Sequence, residues 1–216
     1  MPGREALTRR FVGAYDRGSL SERFRARRWA DLAGTFPDLP DMSVLDVGGD
    51  ARAWTLSGLR PRRLVLLNVV EQEGLEPWME SVVADACDPP DLGEFDLAYS
   101  NAVIGHVGGH YRRLQYAETI RRHRRYWVQT AYRYFPVEPN FLVPGLQHLP
   151  RALQARVVMR WPIGNYATVK DRDRALMRLL EIELLSASEL RFYFPEAEIR
   201  RDRLAGLTKS LIAVRA

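Results

Sequence analysis

The segment at residues 42–50, MSVLDVGGD, constrains the fold of this chain more than any other stretch. An apolar run interrupted only by Ser43 and Asp46 stops abruptly at two consecutive glycines. This pattern is typical of a buried parallel strand that enters a tight turn. Glycine in such a turn lets the backbone approach a ligand and adopt angles that a Cβ atom forbids. We therefore place the first strand and a candidate ligand turn here.

Further apolar runs alternate with helical patterns along the rest of the chain. This alternation predicts an α/β fold with a doubly wound, mostly parallel, seven-stranded sheet. The remaining strands are expected at residues 63–69, 81–84, 95–100 and 125–130, followed by an antiparallel hairpin at 198–204 and 210–214. Helices are expected at residues 5–34 (two, broken near 18–19), 52–58, 108–122, 149–159, 171–185 and 186–194, with a loop and a short helix at 71–78.

The chain length indicates one domain. A chain of 216 residues can bury one full core but is too short for two comfortable ones. We expect a single domain over residues 1–216, with N-terminal helices over 1–40. Residues 132–150 are rich in aromatics and prolines without a clear period. We interpret residues 131–185 as a lid inserted after the fifth strand.

Composition excludes several classes of protein. The longest apolar run, residues 64–67, ends at Asn68 and is far shorter than the ~20 residues of a membrane span. The first residues, MPGREALTRRF, carry charges where a signal peptide has its apolar segment. We therefore expect a cytoplasmic protein with no membrane association. Cys87 is the only cysteine, which excludes an internal disulfide and a cysteine-based metal cluster.

The charge pattern gives little support to nucleic-acid binding. The 32 basic residues exceed the 27 acidic ones by only five. Arginines cluster at residues 25–28, 60–63 and 121–125, but acidic residues are interspersed between these clusters. We favour solvated helix and loop faces over a nucleic-acid footprint.

Polar residues follow the first four predicted strands. In an open α/β sheet, ligands bind beyond the carboxyl ends of the strands, where the strand order reverses. The residues expected there are Asp46, Gly48, Gly49 and Asp50 from the first strand, Asn68 from the second, Asp85 from the third, and Ser100 and Asn101 from the fourth. The group contains no lysine and no phosphate motif. It indicates a nucleoside ligand with hydroxyls and positive charge, whose ribose meets the second strand and whose adenine amine meets the third.

Residues 44–130 resemble the class I S-adenosylmethionine-dependent methyltransferases motif by motif. The resemblance implies that the glycine turn wraps the methionine part of S-adenosylmethionine, from which S-adenosylhomocysteine is the product. It implies that Asn68 and Val69 bind ribose and that Asp85 and Ala86 bind adenine. The sequence from Phe95 to Asn101 corresponds to the fourth-strand motif of that family.

The stretch WVQTAYRYFPVEPNFLVPGLQHLP and the final LTKSLIAVRA resemble a narrower group. They are similar to small actinobacterial methyltransferases that methylate sugar hydroxyls, including those of mannose polysaccharides. This resemblance implies a small-molecule or oligosaccharide acceptor, and a homodimer is one expected state. Within the lid, Tyr134 and Phe135 could stack on a sugar ring, and Glu138 and Asn140 could bind its hydroxyls. Anchoring of the lid to the core is the competing interpretation of these aromatics.

Two features depart from the family pattern. Asp50 and Arg52 stand where the usual turn has further glycines, and Asn68 replaces an acidic ribose ligand. Asparagine still accepts a hydroxyl hydrogen bond through its carbonyl, so weaker cofactor binding is expected. Some related enzymes hold a divalent ion such as Mg²⁺ with a glutamate at the position of Gly105. The glycine argues against that site, although lid residues could supply another.

Methyl transfer to a hydroxyl needs placement and a base. Near-attack placement contributes ~7–11 kcal/mol, and a base contributes ~10²–10⁴-fold. His106, in SNAVIGHVGGH, is expected near the cofactor's methyl group, with a helix-capping role as the alternative. His148 in the lid is the second catalytic candidate. His110 is a weaker candidate, and His123 is expected at the surface.

Other functions stay open at this level. An RNA or protein methyltransferase would need a contiguous basic face beside the cofactor cleft, and a natural-product methyltransferase would share the same motifs. A methyltransferase-like interaction module that binds no cofactor is the alternative from a different class.

Overall fold

The computed structural model describes residues 20–160 and 171–216. The first of the two predicted N-terminal helices lies outside these residues. The second is α1 (Leu20–Thr35). Two short 3₁₀ helices cover Leu39–Asp41 and Leu146–His148. The other helices are α2 (Ala51–Ser57), α3 (His110–Arg121), α4 (Arg151–Arg160), α5 (Arg172–Leu180) and α6 (Ala187–Tyr193).

Seven strands form one sheet. They are β1 (Ser43–Val47), β2 (Arg63–Asn68), β3 (Met79–Val83), β4 (Leu97–Asn101), β5 (Tyr126–Ala131), β6 (Glu198–Leu204) and β7 (Leu207–Arg215). Their order across the sheet is β3-β2-β1-β4-β5-β7-β6. Strands β1 to β5 pair in parallel, and β7 is antiparallel to both β5 and β6. The predicted doubly wound, mostly parallel, seven-stranded sheet is confirmed.

The strand order places the ligand edge. The chain first moves outward from β1 to β2 and β3, and then returns to β4 on the other side of β1. The connections therefore diverge at the carboxyl ends of β1 and β4, which opens a crevice there. The glycine turn follows β1 at this crevice, and Asn101 ends β4 beside it.

Both faces of the sheet are covered by apolar clusters, as parallel strands require. One face packs against α1 and α2 through large aromatic side chains, including Trp29, Trp54, Tyr99 and Trp127. The opposite face packs against α3 and α6 through Tyr116, Ile120, Leu190 and Phe194, among others. Helices α4 and α5 of the insertion share a smaller apolar cluster of their own, which includes Phe141, Leu146, Val158 and Leu179.

Three details differ from the sequence expectations. Residues 71–78 contain no helix, because Gly74 has a φ of 67° and Pro77 follows it. The helix expected to reach residue 185 ends at Leu180. The segment that follows bonds to a different part of the chain, because Glu183 N donates to Gly105 O and not to a carbonyl of the helix. His123 was expected at the surface but is 7% exposed, with its ring edge-on to Phe95.

No helix in residues 20–160 and 171–216 combines the length and apolar character that a bilayer crossing needs.

Candidate active site

The glycine turn, α1 and the end of β4 enclose a cleft of about 200 Å³, here called the turn cleft. Its lining includes the predicted residues Asp46, Gly48, Gly49, Asp50 and Asn101. Five further residues line it that the sequence did not predict for this site: Ala53 and four with large polar or aromatic side chains, Arg25, Arg28, Trp29 and Tyr99. The first-strand and fourth-strand predictions therefore meet in one place.

The two glycines are required by close packing as well as by backbone angles. Gly48 has a φ of 77°, and its N–H donates to Leu67 O at 2.7 Å. A Cβ on Gly48 would overlap the side chain of Val103, and one on Gly49 would overlap the carboxylate of Asp46. Asp50 then caps α2 by accepting from Arg52 N at 2.9 Å. The turn is thus compact without the further glycines of the family pattern.

Asp46 is the most perturbed carboxyl group of the turn cleft. Its side chain is 2% exposed, and Oδ2 accepts a 2.6 Å hydrogen bond from Trp54 Nε1. Oδ1 is buried without a hydrogen-bond partner among the described residues. Burial raises the pKa of Asp46 to about 7, and the Trp54 bond and the nearby Arg28 charge oppose that rise.

Arg28 brings the opposite charge into the turn cleft from α1. One terminal nitrogen donates to Asn101 Oδ1 at 2.9 Å, and the guanidinium lies 5.6 Å from the ring centre of Trp29. Its buried Nε lacks a partner in the described part of the chain. The same holds for the buried hydroxyl of Tyr99, whose ring stacks on Trp29 at 5.4 Å. Three residues that line this cleft therefore each have a buried polar atom without a hydrogen-bond partner among the described residues.

The charges of the turn cleft are segregated by wall. Arg25 and Arg28, one helical turn apart on α1, form one wall. Asp46 and Asp50 from the glycine turn form the other. A buried polar atom left unpaired costs ~1–3 kcal/mol, so a ligand that pairs these atoms gains that much per contact. The arrangement matches a ligand that carries an ammonium or sulfonium at one end and a carboxylate at the other.

The second-strand residues combine a structural bond with an open apolar surface. Asn68 Nδ2 donates to Gly49 O at 2.9 Å and so ties the end of β2 to the glycine turn. Val69 and Val70 are 70% and 64% exposed, and Val83, which pairs in register with Asn68, is 58% exposed. Exposed apolar side chains at a ligand edge can cover the flat face of a base or a ribose.

Asp85 lies at the same edge of the sheet, but its carboxylate already accepts hydrogen bonds from other residues of the chain. Both carboxylate oxygens accept from Arg112 on α3, at 2.8 and 2.6 Å, and Oδ1 also accepts from Cys87 N. The Arg112 guanidinium holds the pKa of Asp85 below its usual range. Ala86 beside it packs against the core. An adenine amine at Asp85 would therefore share this carboxylate with Arg112.

Backbone strain marks the end of β4. Ser100 Oγ donates to Val47 O at 2.7 Å, which fixes β4 against β1. The residue after Asn101, Ala102, has a φ of 62°, although it is not glycine, and its N–H donates to Gln129 O. Such left-handed residues cost of order 1–3 kcal/mol and cluster at functional sites. The strain lies directly beside the turn cleft.

His106 lies four residues after the strained Ala102, in a segment that contacts the C-terminal end of the lid. Its backbone N–H donates to Val103 O at 2.7 Å. The segment at 181–185 is held against it by the Glu183 N to Gly105 O bond and by an ion pair between Glu183 and the buried Arg113. His106 is exposed by surface area, but desolvation by the atoms around it lowers the pKa of the imidazole, and Glu181 opposes this effect. A neutral imidazole beside the strand ends can accept a proton.

His148 and Tyr134 lie together in the lid. Their rings are nearly parallel, with centroids 6.3 Å apart, and Tyr132 packs edge-on to Tyr134 at 5.4 Å. Tyr134 is 57% exposed. Gln147 Nε2 donates to Phe135 O, which anchors the backbone under this group. The lid thus presents an accessible aromatic surface near the end of β5.

Glu138 and Asn140 bond to their own loop. Glu138 is 4% exposed and accepts from Asn140 N, Asn140 Nδ2 and Phe141 N. Burial raises its pKa despite these bonds. These contacts give both residues a role in shaping the loop, and their binding of sugar hydroxyls stays a prediction. His110 Nδ1 lies 2.9 Å from Tyr193 Oη on α6.

Four large side chains of the turn cleft escaped the sequence analysis: Arg25, Arg28, Trp29 and Tyr99. From the sequence, Arg25 and Arg28 were assigned to a solvent-exposed arginine cluster, and Trp29 was assigned to the apolar face of a helix. The available signal was spacing, since residues 25, 28 and 29 fall on one face of a helix. Among the described residues, no group of three or more His, Cys, Asp or Glu side chains is placed to hold a metal ion.

The sequence matches no family profile and no curated protein. Solved structures, however, share the fold over nearly the whole chain. The N-terminal domain of EvdMO1, crystallised in the presence of SAH and D-fucose, is 15% identical with a TM-score of 0.53, and the alignment covers 100% of this chain and 97% of that one. The DhpI–SAH complex is 16% identical with a TM-score of 0.53, with 99% and 94% covered.

A third similar structure comes from Burkholderia thailandensis. It is a 1,6-didemethyltoxoflavin-N1-methyltransferase with bound 1,6-didemethyltoxoflavin and S-adenosylhomocysteine. It is 14% identical with a TM-score of 0.53, and the alignment covers 100% of this chain and 90% of that one. This chain has the fold of the class I methyltransferases. At such low identity the likeness establishes the fold alone.

Proposed function

We propose that this chain binds S-adenosylmethionine and transfers its methyl group to a hydroxyl of a small carbohydrate acceptor. The observation that carries the proposal is the turn cleft, with arginines on one wall, aspartates on the other and unpaired buried atoms between them. The methionine end of the cofactor has the matching charges. Asp46 Oδ1 would take the cationic part, and Arg28 Nε would take the carboxylate.

The rest of the ligand edge supports the same cofactor. We assign the ribose to Asn68 and Val69 at the end of β2, and the adenine to Asp85 and Ala86 after β3. The exposed Val70 and Val83 would cover a flat base. Two proteins of the same fold, the EvdMO1 domain and DhpI, were crystallised with SAH.

When bound, the cofactor supplies a methyl group already activated by its sulfonium. The chain's own contribution is to hold the acceptor in line with that group, which is worth ~7–11 kcal/mol. His106 is proposed to take the hydroxyl proton, because its lowered pKa keeps the imidazole neutral near pH 7. His148 is the second candidate base.

The aromatic surface of the lid favours a sugar acceptor. Sugar rings present apolar C–H faces, and the accessible ring of Tyr134, backed by Tyr132 and His148, offers a flat surface for them. The EvdMO1 domain was crystallised in the presence of D-fucose. A mannoside of a methylated polysaccharide is one acceptor that we propose to test.

A cofactor-free interaction module is the second candidate. Two of the predicted cofactor ligands already form hydrogen bonds within the chain, which favours this candidate. Asp85 accepts from Arg112, and Asn68 donates to Gly49 O. In such a module, Arg28 would serve permanently as the cationic partner of Asp46.

Calorimetric titration with S-adenosylhomocysteine separates the two candidates. We expect binding to the wild type and at least tenfold weaker binding to Arg28→Gln and Asp46→Asn, on the order of the loss of one charge-assisted hydrogen bond. Arg63→Gln, which breaks a surface pair with Glu80, is the control and should bind normally. Absence of binding to the wild type would favour the module.

Identification of the acceptor requires a second experiment. The protein would be incubated with radiolabelled S-adenosylmethionine and a panel of mono- and oligosaccharides, including mannosides. Incorporation of label at a sugar oxygen, located by mass spectrometry, is the expected result. Label found only on amines or on RNA would contradict the carbohydrate assignment while leaving cofactor binding intact.

A further inference from the structure

A second polar cleft of about 290 Å³ lies between α1 and strands β5, β7 and β6, and is here called the arginine cleft. Four arginines, two aspartates and one glutamine line it: Arg27, Arg28, Arg200, Arg201, Asp31, Asp202 and Gln129. None of these residues except Arg28 belongs to the turn cleft. Arg201 pairs with Leu211 of the opposite apolar cluster, so its side chain extends away from α1. Three guanidinium groups, from Arg27, Arg28 and Arg200, therefore face the two carboxylates in the arginine cleft.

The hydrogen bonds leave donors available. Arg200 is occupied, since it pairs with Glu198 and donates to Thr35 Oγ1 at 2.8 Å. Arg27 makes a single long bond of 3.4 Å to Arg203 O. Asp202 accepts from Ser210 Oγ at 2.9 Å, so one of the two carboxylates is already partly satisfied.

Two buried atoms in the arginine cleft lack partners among the described residues. Gln129 is 8% exposed, and its Nε2 donates to Ser210 Oγ at 2.9 Å while its Oε1 accepts nothing. The Nε of Arg28 is likewise unpaired. Because Arg28 Nε is assigned to the cofactor carboxylate, the donors left for an oxyanion are those of Arg27, while the unpaired Gln129 Oε1 fits a ligand hydroxyl.

The arginine cleft adjoins the turn cleft. Arg28 lines both, and its partner Asn101 pairs in register with Gln129 on the neighbouring strand. A ligand in the arginine cleft is therefore separated from the turn cleft by one side chain. This is the position of a group that reacts with a cofactor bound at the turn.

We propose that the arginine cleft binds the acidic part of the methyl acceptor, a phosphate or a carboxylate carried next to a hydroxyl. This inference rests on the proposed function, because it names the acceptor as an anionic sugar. Arginine suits the role, since its planar fork pairs with two oxygens of a phosphate or carboxylate at once. Gln129 Oε1 would accept from the neighbouring sugar hydroxyl.

The size of the cleft favours a small ligand over a nucleic acid. Its volume of about 290 Å³ holds a monosaccharide-sized group, and Asp31 and Asp202 interrupt its charge. A polynucleotide groove instead follows a backbone over several phosphates with an uninterrupted basic lining.

Calorimetry on the whole chain tests the inference with four probes at constant ionic strength: inorganic phosphate, mannose 6-phosphate, glucuronate and uncharged mannose. We expect mannose 6-phosphate or glucuronate to bind more tightly than mannose, and the preferred acid identifies the oxyanion. Arg27→Gln should weaken that binding by about tenfold or more. Arg191→Gln removes the same charge from α6 on the opposite face and should change nothing.

Several results would contradict the inference or the proposed function on which it rests. Equal binding of mannose and the acidic sugars, or equal losses from Arg191→Gln and Arg27→Gln, would overturn the inference. So would preferential binding of an RNA oligonucleotide with a steep salt dependence. The same samples are titrated with S-adenosylhomocysteine. Anion binding without cofactor binding would count against the proposed function, whereas cofactor binding without anion binding would count only against the arginine cleft.

Discussion

Trp54 Nε1 donates a 2.6 Å hydrogen bond to Asp46 Oδ2, and both side chains are buried beneath the glycine turn. The bond joins Asp46 of β1 to α2, the helix that follows the glycine turn. It is the only hydrogen bond that the described residues make to this carboxylate, because Oδ1 has no partner. The Asp46–Trp54 pair therefore fixes the wall against which a cationic ligand would be held.

Trp54→Phe should destabilise the protein by removing this donor. Trp127 supplies a matched control, since it is equally buried but its Nε1 has no partner in the described residues. Both variants lose the same part of an indole ring. Trp54→Phe should cost roughly 1.5–3 kcal/mol more than Trp127→Phe in urea unfolding, because it leaves a buried carboxyl group unpaired. Equal losses would show that the bond contributes nothing to stability.

Gly49→Ala should also destabilise the turn, because its new Cβ would overlap the Asp46 carboxylate. We expect a cost of roughly 1–3 kcal/mol, typical of overpacking in a rigid site. Gly34→Ala is the control, since its Cβ would meet open space within α1. That change should instead stabilise the chain by about 0.5–1 kcal/mol. Thermal and urea unfolding measure the change in stability of each variant. Similar changes in Gly49→Ala and Gly34→Ala would contradict the prediction.

The contribution of Asp46 to the stability of the wild type should fall as the pH rises from about 4 to about 7. Burial raises the pKa of Asp46 to about 7 in the folded state, above its ordinary value of 3.8. The folded state therefore binds a proton that the unfolded state releases within this window, and its stabilising effect is lost as the pH passes 7. At about 1.4 kcal/mol per pKa unit, the contribution is at most about 4 kcal/mol.

Asp46→Asn isolates this contribution from other titrating groups. The difference in unfolding free energy between wild type and variant should change across pH 4–7 and be flat above it. A difference that is flat throughout would place the pKa of Asp46 near its ordinary value. A cationic ligand at Asp46 should also release a proton on binding near pH 7, which calorimetry in buffers of different ionisation enthalpy would detect.

His106→Ala should lower the rate of methyl transfer by ~10²–10⁴-fold without weakening S-adenosylhomocysteine binding. The reason is the loss of a neutral imidazole next to the strained end of β4. Because desolvation lowers the pKa of His106, the wild-type rate should rise with pH through a value below 6.5. His110→Ala removes an imidazole that bonds Tyr193 and should retain the full rate. A full-rate His106→Ala variant would make His148 the remaining candidate base.

The sheet and its ligand edge could be predicted from the sequence because they depend on local patterns. Apolar runs closed by polar residues gave four strand ends, and parallel strands bring such ends to one edge. The helix expected at residues 186–194 was equally local, and the structure shows a capping box between Ser186 and Glu189 at its start. These features depend on the order of residues within a few positions.

The partners of the site residues depend on distant packing and could not be predicted this way. Arg112 reaches Asp85 from 27 positions away, and Arg28 reaches Asn101 from 73. Periodicity showed that residues 20–35 form a helix but did not show which strand end its arginines face. His123 is buried because Phe95, at the start of another segment, covers it. A run of arginines on both sides gave no sign of that contact.

Strand β6 lies at the margin of the sheet, and beyond it no strand of the described residues follows. Arg200, Arg201 and Arg203 stand along it. Charged side chains on a marginal strand discourage another molecule from adding its own backbone there, which is a common route to aggregates. The guanidinium groups that line the arginine cleft thus also protect the chain in crowded solution. Substitution with valine or isoleucine at these positions would invite fibril formation, whereas glutamine removes the charge and keeps the strand polar.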